Sequence, residues 1–305
     1  MSKKLLNTSL GKLKLKNPVI TASGTFGFGT ELRDYFPVSD LGAVTLKGIT
    51  VKESEGNDLP RIAETPAGIL NSIGLENPGI KNFKKNIIPE IKDLEVPMIA
   101  NISGYSINEF KYLAEELENE KTIKAVEVNV SCPNIKNGGM AFGTDSDMIF
   151  EVTKEVRKVY TGPMIVKLSP NVTDIVEMAK AAVEGGADII SLINTLLGMA
   201  IDVDKKKAVL PNTFGGLSGP AIKPVALRMV YQLHENLDIP IIGMGGIMTG
   251  EDAIEFLLAG ASAVGVGTAT LRDPDASQKI VYEIRDYLKK NNIDSLDEII
   301  GKAHK

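Results

Sequence analysis

Pro240-Ile241-Ile242-Gly243-Met244-Gly245-Gly246 is a short apolar run that ends in two glycines. A helical stretch follows at 252–259, opened by Thr249 with Asp252 three residues on. Then comes Ala263-Val264-Gly265-Val266-Gly267-Thr268, a second apolar run with a glycine at its end. Strand, turn, helix, strand is the parallel βαβ unit, and its strands read as continuously apolar because both faces are covered. The same unit recurs upstream. Further strand candidates lie at 18–22, 43–46, 98–102, 125–130, 164–168 and 188–193. Helices are clearest at 108–119, 147–160, 174–185, 223–236, 252–259 and 275–290, with Ser106 and Glu109 forming a second capping pattern.

Eight strands alternating with helices close best as a single-domain (β/α)8 TIM barrel over 1–305, with an open doubly wound sheet as the structural alternative. The stretch 8–16 alternates apolar and polar residues around Gly11 and predicts an N-terminal hairpin that closes the barrel bottom. The connections 47–97, after strand 2, and 194–220, after strand 6, are too long for simple turns and predict functional insertions. A net charge of -5 argues against nucleic acid as partner. The single cysteine excludes an internal disulfide and an iron–sulphur cluster ligated by this chain alone. No apolar run approaches the roughly 20 residues that cross a bilayer. Met1-Ser2-Lys3-Lys4 has no apolar segment behind it, so the expected location is cytoplasmic.

In a (β/α)8 barrel the chemistry collects where the strands end. Here those ends carry Ser23-Gly24, Lys47-Gly48, Asn101, Asn129, Lys167, Asn194-Thr195, Gly245-Gly246 and Gly267-Thr268. A lone Lys or Asn at such a place is usually a surface or turn residue. Two lysines and three asparagines at one mouth would instead converge on a small volume. There, amides address the edge of a heterocycle and lysines stabilise charge on its oxygens. The glycine runs after strands seven and eight suit a phosphate. No G-x-G-x-x-G with a following acidic residue is present, so a flavin mononucleotide is expected in preference to a nicotinamide dinucleotide. Cys132, the only cysteine, lies in Asn129-Val130-Ser131-Cys132-Pro133-Asn134. It reads either as an acid/base group or as a small buried apolar residue.

These stretches together resemble the class 1 dihydroorotate dehydrogenases, and specifically the catalytic subunit of the NAD-linked 1B branch. The resemblance covers nearly the whole chain. It rests on Ser23-Gly24-Thr25, Thr45-Leu46-Lys47-Gly48, Asn71-Ser72-Ile73-Gly74-Leu75, the Cys132 motif, Val166-Lys167-Leu168-Ser169-Pro170, Ile193-Asn194-Thr195 and Gly215-Gly216-Leu217-Ser218-Gly219-Pro220. The run from Gly138 to Asp145 resembles 1B more than the fumarate-using 1A branch, and Cys132 differs from the serine of the membrane-associated class 2. Glu76 stands where the pattern more often has Gln; it lies just outside the matched motif and is expected to leave the chemistry untouched.

The resemblance implies FMN contacts by Ser23, Lys47, Gly48, Asn101, Asn129, Lys167, Ile193, Gly219, Gly245, Gly246, Gly267 and Thr268. It implies substrate contacts by Lys47, Asn71, Ser72, Ile73, Gly74, Leu75, Asn129, Asn194 and Thr195, and Cys132 as general base. The implied reaction is oxidation of (S)-dihydroorotate to orotate in pyrimidine (UMP) biosynthesis, with hydride passing to the flavin and a proton to Cys132. Electrons would leave to NAD through a partner subunit with FAD and a 2Fe–2S cluster, in a heterotetramer around a homodimer core. The segment 133–143, rich in Gly and Asn, is expected to act as a lid. Alternatives are a 1A enzyme, a dihydropyrimidine dehydrogenase domain, which would not need a carboxylate-binding lysine, and a flavin-free phosphate-binding isomerase or aldolase with Lys167 as Schiff-base residue.

Overall fold

In the computed structural model, which describes residues 5–131 and 142–304, eight parallel strands close into a barrel. They are Val19–Thr21, Ala43–Thr45, Met98–Ile102, Ile123–Asn129, Met164–Lys167, Ile189–Leu192, Ile241–Met244 and Ala263–Val266. Each pairs with its neighbours in chain order, and the eighth closes on the first through Val264 opposite Val19. All eight expected strands are present, and the open sheet is excluded.

The strand period of two sorts the side chains. Ile20, Ala43, Ile99, Ala125, Ile165, Ile189, Ile242 and Ala263 form one apolar cluster inside the barrel. The same cluster contains Leu10, Leu13 and Leu15 of the hairpin Thr8–Leu10 and Leu13–Leu15. The hairpin plugs the bottom as expected, turning at Gly11, whose φ of +58° suits glycine. The alternate strand residues pack outward under the helices in a larger cluster that includes Val44, Ala100, Val126, Val166, Ile190, Ile241 and Val264.

Helices Ile107–Leu117, Ser146–Arg157, Ile175–Glu184, Lys223–Asn236, Gly250–Leu258 and Ala276–Lys290 match the expected set. Thr249 and Asp252 form a reciprocal capping box. At Ser106 only half of one forms, because the Glu109 carboxylate takes the N–H of Tyr105 instead. Two helical stretches, 79–91 and Thr268–Arg272, lie outside the expected set. The first begins at Pro78 without a side-chain cap, and a wide π turn, Phe83–Ile87, joins two single-turn pieces, Gly79–Asn82 and Ile88–Ile91, the second of which contains Pro89.

The two long connections share one purpose. The first supplies strands Ile62–Thr65 and Gly68–Asn71, and the second supplies Leu196–Gly198 and Gly215–Ser218. All four pair antiparallel as one sheet, with Asn71 opposite Gly216 and Leu197 also opposite Gly216. Side chains from this sheet form part of the wall of the cavity at the barrel mouth. Among the described residues, no helix is long and apolar enough to cross a membrane.

Candidate active site

A cavity of about 340 Å³ opens at the carboxyl ends of the barrel strands. Its size lies in the range of small-molecule sites. Of the residues expected to contact cofactor or substrate, Ser23, Lys47, Gly48, Asn71, Ile73, Gly74, Leu75, Asn101, Asn129, Lys167, Ile193, Asn194, Thr195, Gly219, Gly245, Gly246, Gly267 and Thr268 all line it. Ser72 does not. It follows the strand Gly68–Asn71, and its buried hydroxyl accepts hydrogen bonds from Asn57 and Asn212 instead. Cys132 and most of the segment expected as a lid, 133–141, lie outside the described residues.

The polar groups of the mouth are held by one another. Asn194 Nδ2 donates to Ser131 Oγ at 2.7 Å, and that hydroxyl donates to Asn129 Oδ1 at 2.7 Å. Asn129 Nδ2 donates in turn to Ser103 Oγ at 3.2 Å. Both ends of each amide are thus engaged, and Asn194 Oδ1 also accepts from the Thr195 N–H at 2.7 Å, which orients that amide. The same chain of hydrogen bonds also fixes Ser131, the residue that immediately precedes Cys132. Asn171 adds a brace, donating to the Thr195 carbonyl and accepting from the Leu197 N–H.

Lys167 is buried, with 7% of its side chain exposed, and faces Glu127, which is 2% exposed, across 4.0 Å. Glu127 also accepts from Asn101 Nδ2 at 2.7 Å and Ser191 Oγ at 2.8 Å. Sequence reasoning missed this carboxylate. The available signal was its charge inside Ala125-Val126-Glu127-Val128, where a strand covered on both faces should be apolar. Lys47, by contrast, is part exposed and reaches Glu76 Oε2 at 3.5 Å. Glu76 therefore touches the site. The tight turn before it, where Gly74 and Leu75 have φ of +78° and +56°, brings Glu76 back to the cavity.

At the seventh and eighth strand ends the backbone itself forms the wall. Gly245 and Gly246 have φ of +126° and +78°, which other residues rarely adopt. A Cβ on Gly246 would meet Lys223 Cβ at 2.7 Å and the Gly219 carbonyl at 2.9 Å. Lys223 is not free to serve a ligand: hydrogen bonds to Asp252, then Glu255, hold its ammonium above the usual lysine range. Gly267 has an ordinary φ, and a Cβ there would face Ala22 and Thr25, both on the cavity wall. Thr268 Oγ1 is tied to Ser218 Oγ at 2.8 Å.

These features fit a flavin mononucleotide. The glycines form a cradle for a phosphate, which backbone N–H groups bind when no side chain intervenes. Among the described residues, Asn101 Oδ1 is buried without a partner, an acceptor that lacks a donor such as a ring N–H. Two lysines and several fixed amides on one wall can hold an anionic heterocycle and stabilise charge on its oxygens.

Comparison with known proteins gives the family. The family profile for dihydroorotate dehydrogenase matches residues 5–288. The dihydroorotate dehydrogenase B (NAD(+)) catalytic subunit of Alkaliphilus oremlandii is 53% identical over 302 residues, 99% of this chain and 100% of that one. The subunits of the same name from Bacteroides fragilis and Thermoanaerobacter pseudethanolicus are 51% and 52% identical, each over 97% of this chain and 98% of theirs. With a closed barrel and similarity that runs from end to end, the chain belongs to the dihydroorotate dehydrogenase family, within its branch of NAD(+)-linked B catalytic subunits.

Proposed function

We propose that this protein is the catalytic subunit of an NAD-linked dihydroorotate dehydrogenase, a cytoplasmic single-domain enzyme that oxidises (S)-dihydroorotate to orotate in pyrimidine biosynthesis. The observation that carries this reading is the convergence of Lys47, Lys167, Asn71, Asn129, Asn194 and the two glycine loops on one cavity. FMN, when bound, would supply the acceptor for the hydride removed from the substrate.

The chain's own residues do the rest. Gly245, Gly246, Gly267 and Thr268 bind the cofactor phosphate, with Gly219 and Ile193 beside them. Asn101 offers its orphan carbonyl to a ring N–H. Lys167, held in place by Glu127, presents positive charge to the ring system. Ser23, Lys47, Gly48 and Asn129 complete that wall. On the substrate side, Lys47 pairs with the carboxylate, while the fixed amides of Asn129 and Asn194 address the ring edges. Asn71, Ile73, Gly74, Leu75 and Thr195 enclose it from the side of the four-stranded antiparallel sheet, and Ser72 acts indirectly, by tying the end of that sheet to Asn57 and Asn212. Cys132 takes the proton from C5. A thiol, with an ordinary pKa of about 8.5, is within reach of that work near neutral pH.

Electrons leave through a partner subunit carrying FAD and a 2Fe–2S cluster, in a heterotetramer around a homodimer core. Two facts of the sequence support a partner: there is no dinucleotide fingerprint, and one cysteine cannot ligate a cluster. The test is an anaerobic assay of the purified chain. Dihydroorotate should bleach the flavin band near about 450 nm, dihydrouracil should not, and NAD should stay oxidised until the partner is added. Equal bleaching by dihydrouracil overturns the substrate assignment. Rapid NAD reduction by the chain alone overturns the partner, and rapid fumarate reduction moves the enzyme to the 1A branch.

A further inference from the structure

Glu76 shares one carboxylate oxygen between two cations. Arg61 Nη1 lies 3.0 Å from Oε2 and Lys47 Nζ 3.5 Å from the same atom. The two cations are not equivalent. Arg61 is anchored to the backbone, donating from Nε to the Asn57 carbonyl and from Nη2 to the Glu55 carbonyl at 2.6 Å. Lys47 and Glu76 line the cavity, while Arg61 stands behind them. Glu76 is therefore fixed from the protein side and meets Lys47 from the cavity side. Two cations and one anion leave a single positive charge. An ammonium carries three N–H donors, so Lys47 can keep Glu76 and accept a second carboxylate.

We propose that Glu76 is a specificity-determining residue that acts through Lys47, setting the net charge that the carboxylate end of the substrate meets. The inference rests on the reading of Lys47 as the carboxylate partner. With Glu76 charged, the triad accepts one monoanionic ring acid and holds it against the repulsion of a neighbouring carboxylate. That repulsion weakens the grip on both substrate and product and favours release of the product. The Glu76 side chain is 47% exposed, so solvent screens the repulsion strongly. The expected effect is about three- to ten-fold in affinity.

The experiment is calorimetric titration of the purified holoenzyme with orotate and with uracil, the same ring without its carboxylate. Glu76→Gln keeps the shape and removes the charge. It should bind orotate about three- to ten-fold tighter, leave uracil unchanged, and lose most of the gain at high salt. Glu76→Asp keeps the charge and should keep wild-type discrimination. Unchanged or weaker orotate binding by Glu76→Gln overturns the proposal. So does a gain that salt does not reduce, or one that uracil shares, since a displaced wall would give either. The salt dependence provides the same control should uracil bind too weakly to titrate. Lys47→Ala separates the two readings. If it binds orotate like wild type, the carboxylate assignment of Lys47 fails. If it loses orotate while Glu76→Gln changes nothing, only the role of Glu76 falls.

Discussion

Replacing Glu127 with Gln removes one buried charge from beneath the cavity wall, next to Lys167, and almost nothing else. The amide oxygen can still accept from Asn101, and the amide N–H can donate to the Ser191 hydroxyl, so both hydrogen bonds survive in form. What is lost is the anion 4.0 Å from the Lys167 ammonium, in a place where neither side chain meets much water. At that distance the attraction is worth about 4 kcal/mol at an effective dielectric of about 20. Removing one partner of a buried pair typically costs about 3–5 kcal/mol, because the other charge stays buried. The defect of Glu127→Gln should therefore be about 3–4 kcal/mol. Urea unfolding of both proteins with FMN in excess reads this directly. A defect of less than about 1 kcal/mol would refute the charge argument and leave only packing. No defect at all would show that Lys167 does not depend on Glu127.

Gly246 and Gly267 should separate fold from cofactor. Valine at 246 violates a φ of +78° and meets Lys223 and the Gly219 carbonyl, so it should cost at least about 1 kcal/mol of stability as well as the flavin; leucine at 267, whose Cβ would meet only Ala22 at 3.3 Å and Thr25 at 3.6 Å on the cavity wall, should cost less stability and also yield colourless protein, and full flavin occupancy in both variants would refute the placement of the phosphate. Cys132→Ala should keep fold and FMN but slow flavin reduction by dihydroorotate by about 10²–10⁴-fold, whereas Cys132→Ser should retain some turnover, displaced to higher pH. A normal stopped-flow rate in Cys132→Ala would remove the residue from the mechanism.

The barrel was legible because its strands announce themselves. Runs such as Ile241–Met244 and Ala263–Val266 are apolar throughout and flanked by glycine, and no other short pattern competes. The helical stretch 79–91 was hidden by its own chemistry. Gly79 and Pro89 both argue against a helix, and the π turn between its two pieces spoils the 3.6 period. The four-stranded antiparallel sheet at the barrel mouth was hidden for a different reason. Strands such as Gly68–Asn71 and Gly215–Ser218 carry glycines and little β-branched content, so local propensity is silent. Their identity as strands comes from each other, across a separation of 145 residues between Asn71 and Gly216. The only sequence trace was that both connections were too long to be turns.

The site was legible to the depth at which the rule of strand ends applies, and Glu127 shows how one further step reaches the rest. Side chains two residues apart on a strand face the same way. Two residues beyond the interior apolar positions Ile99, Ala125, Ile165 and Ile189 stand Asn101, Glu127, Lys167 and Ser191. On the opposite side of the barrel the same step from Ile20, Ile242 and Ala263 leads to Ala22, Met244 and Gly265. With Thr45 two residues beyond Ala43, the layer above the apolar core is thus polar over strands two to six and apolar over seven, eight and one. Glu127 is the anion that makes the polar half tenable, since Asn101, Lys167 and Ser191 all turn to it. An unbalanced lysine at that depth would carry the cost worked out above. The cavity floor therefore presents a charged, hydrogen-bonding half and a smooth apolar half to whatever lies on it. That asymmetry suits a planar ring system whose polar edge has to meet the strand-two to strand-six side, with the glycine loops left to take a phosphate on the other.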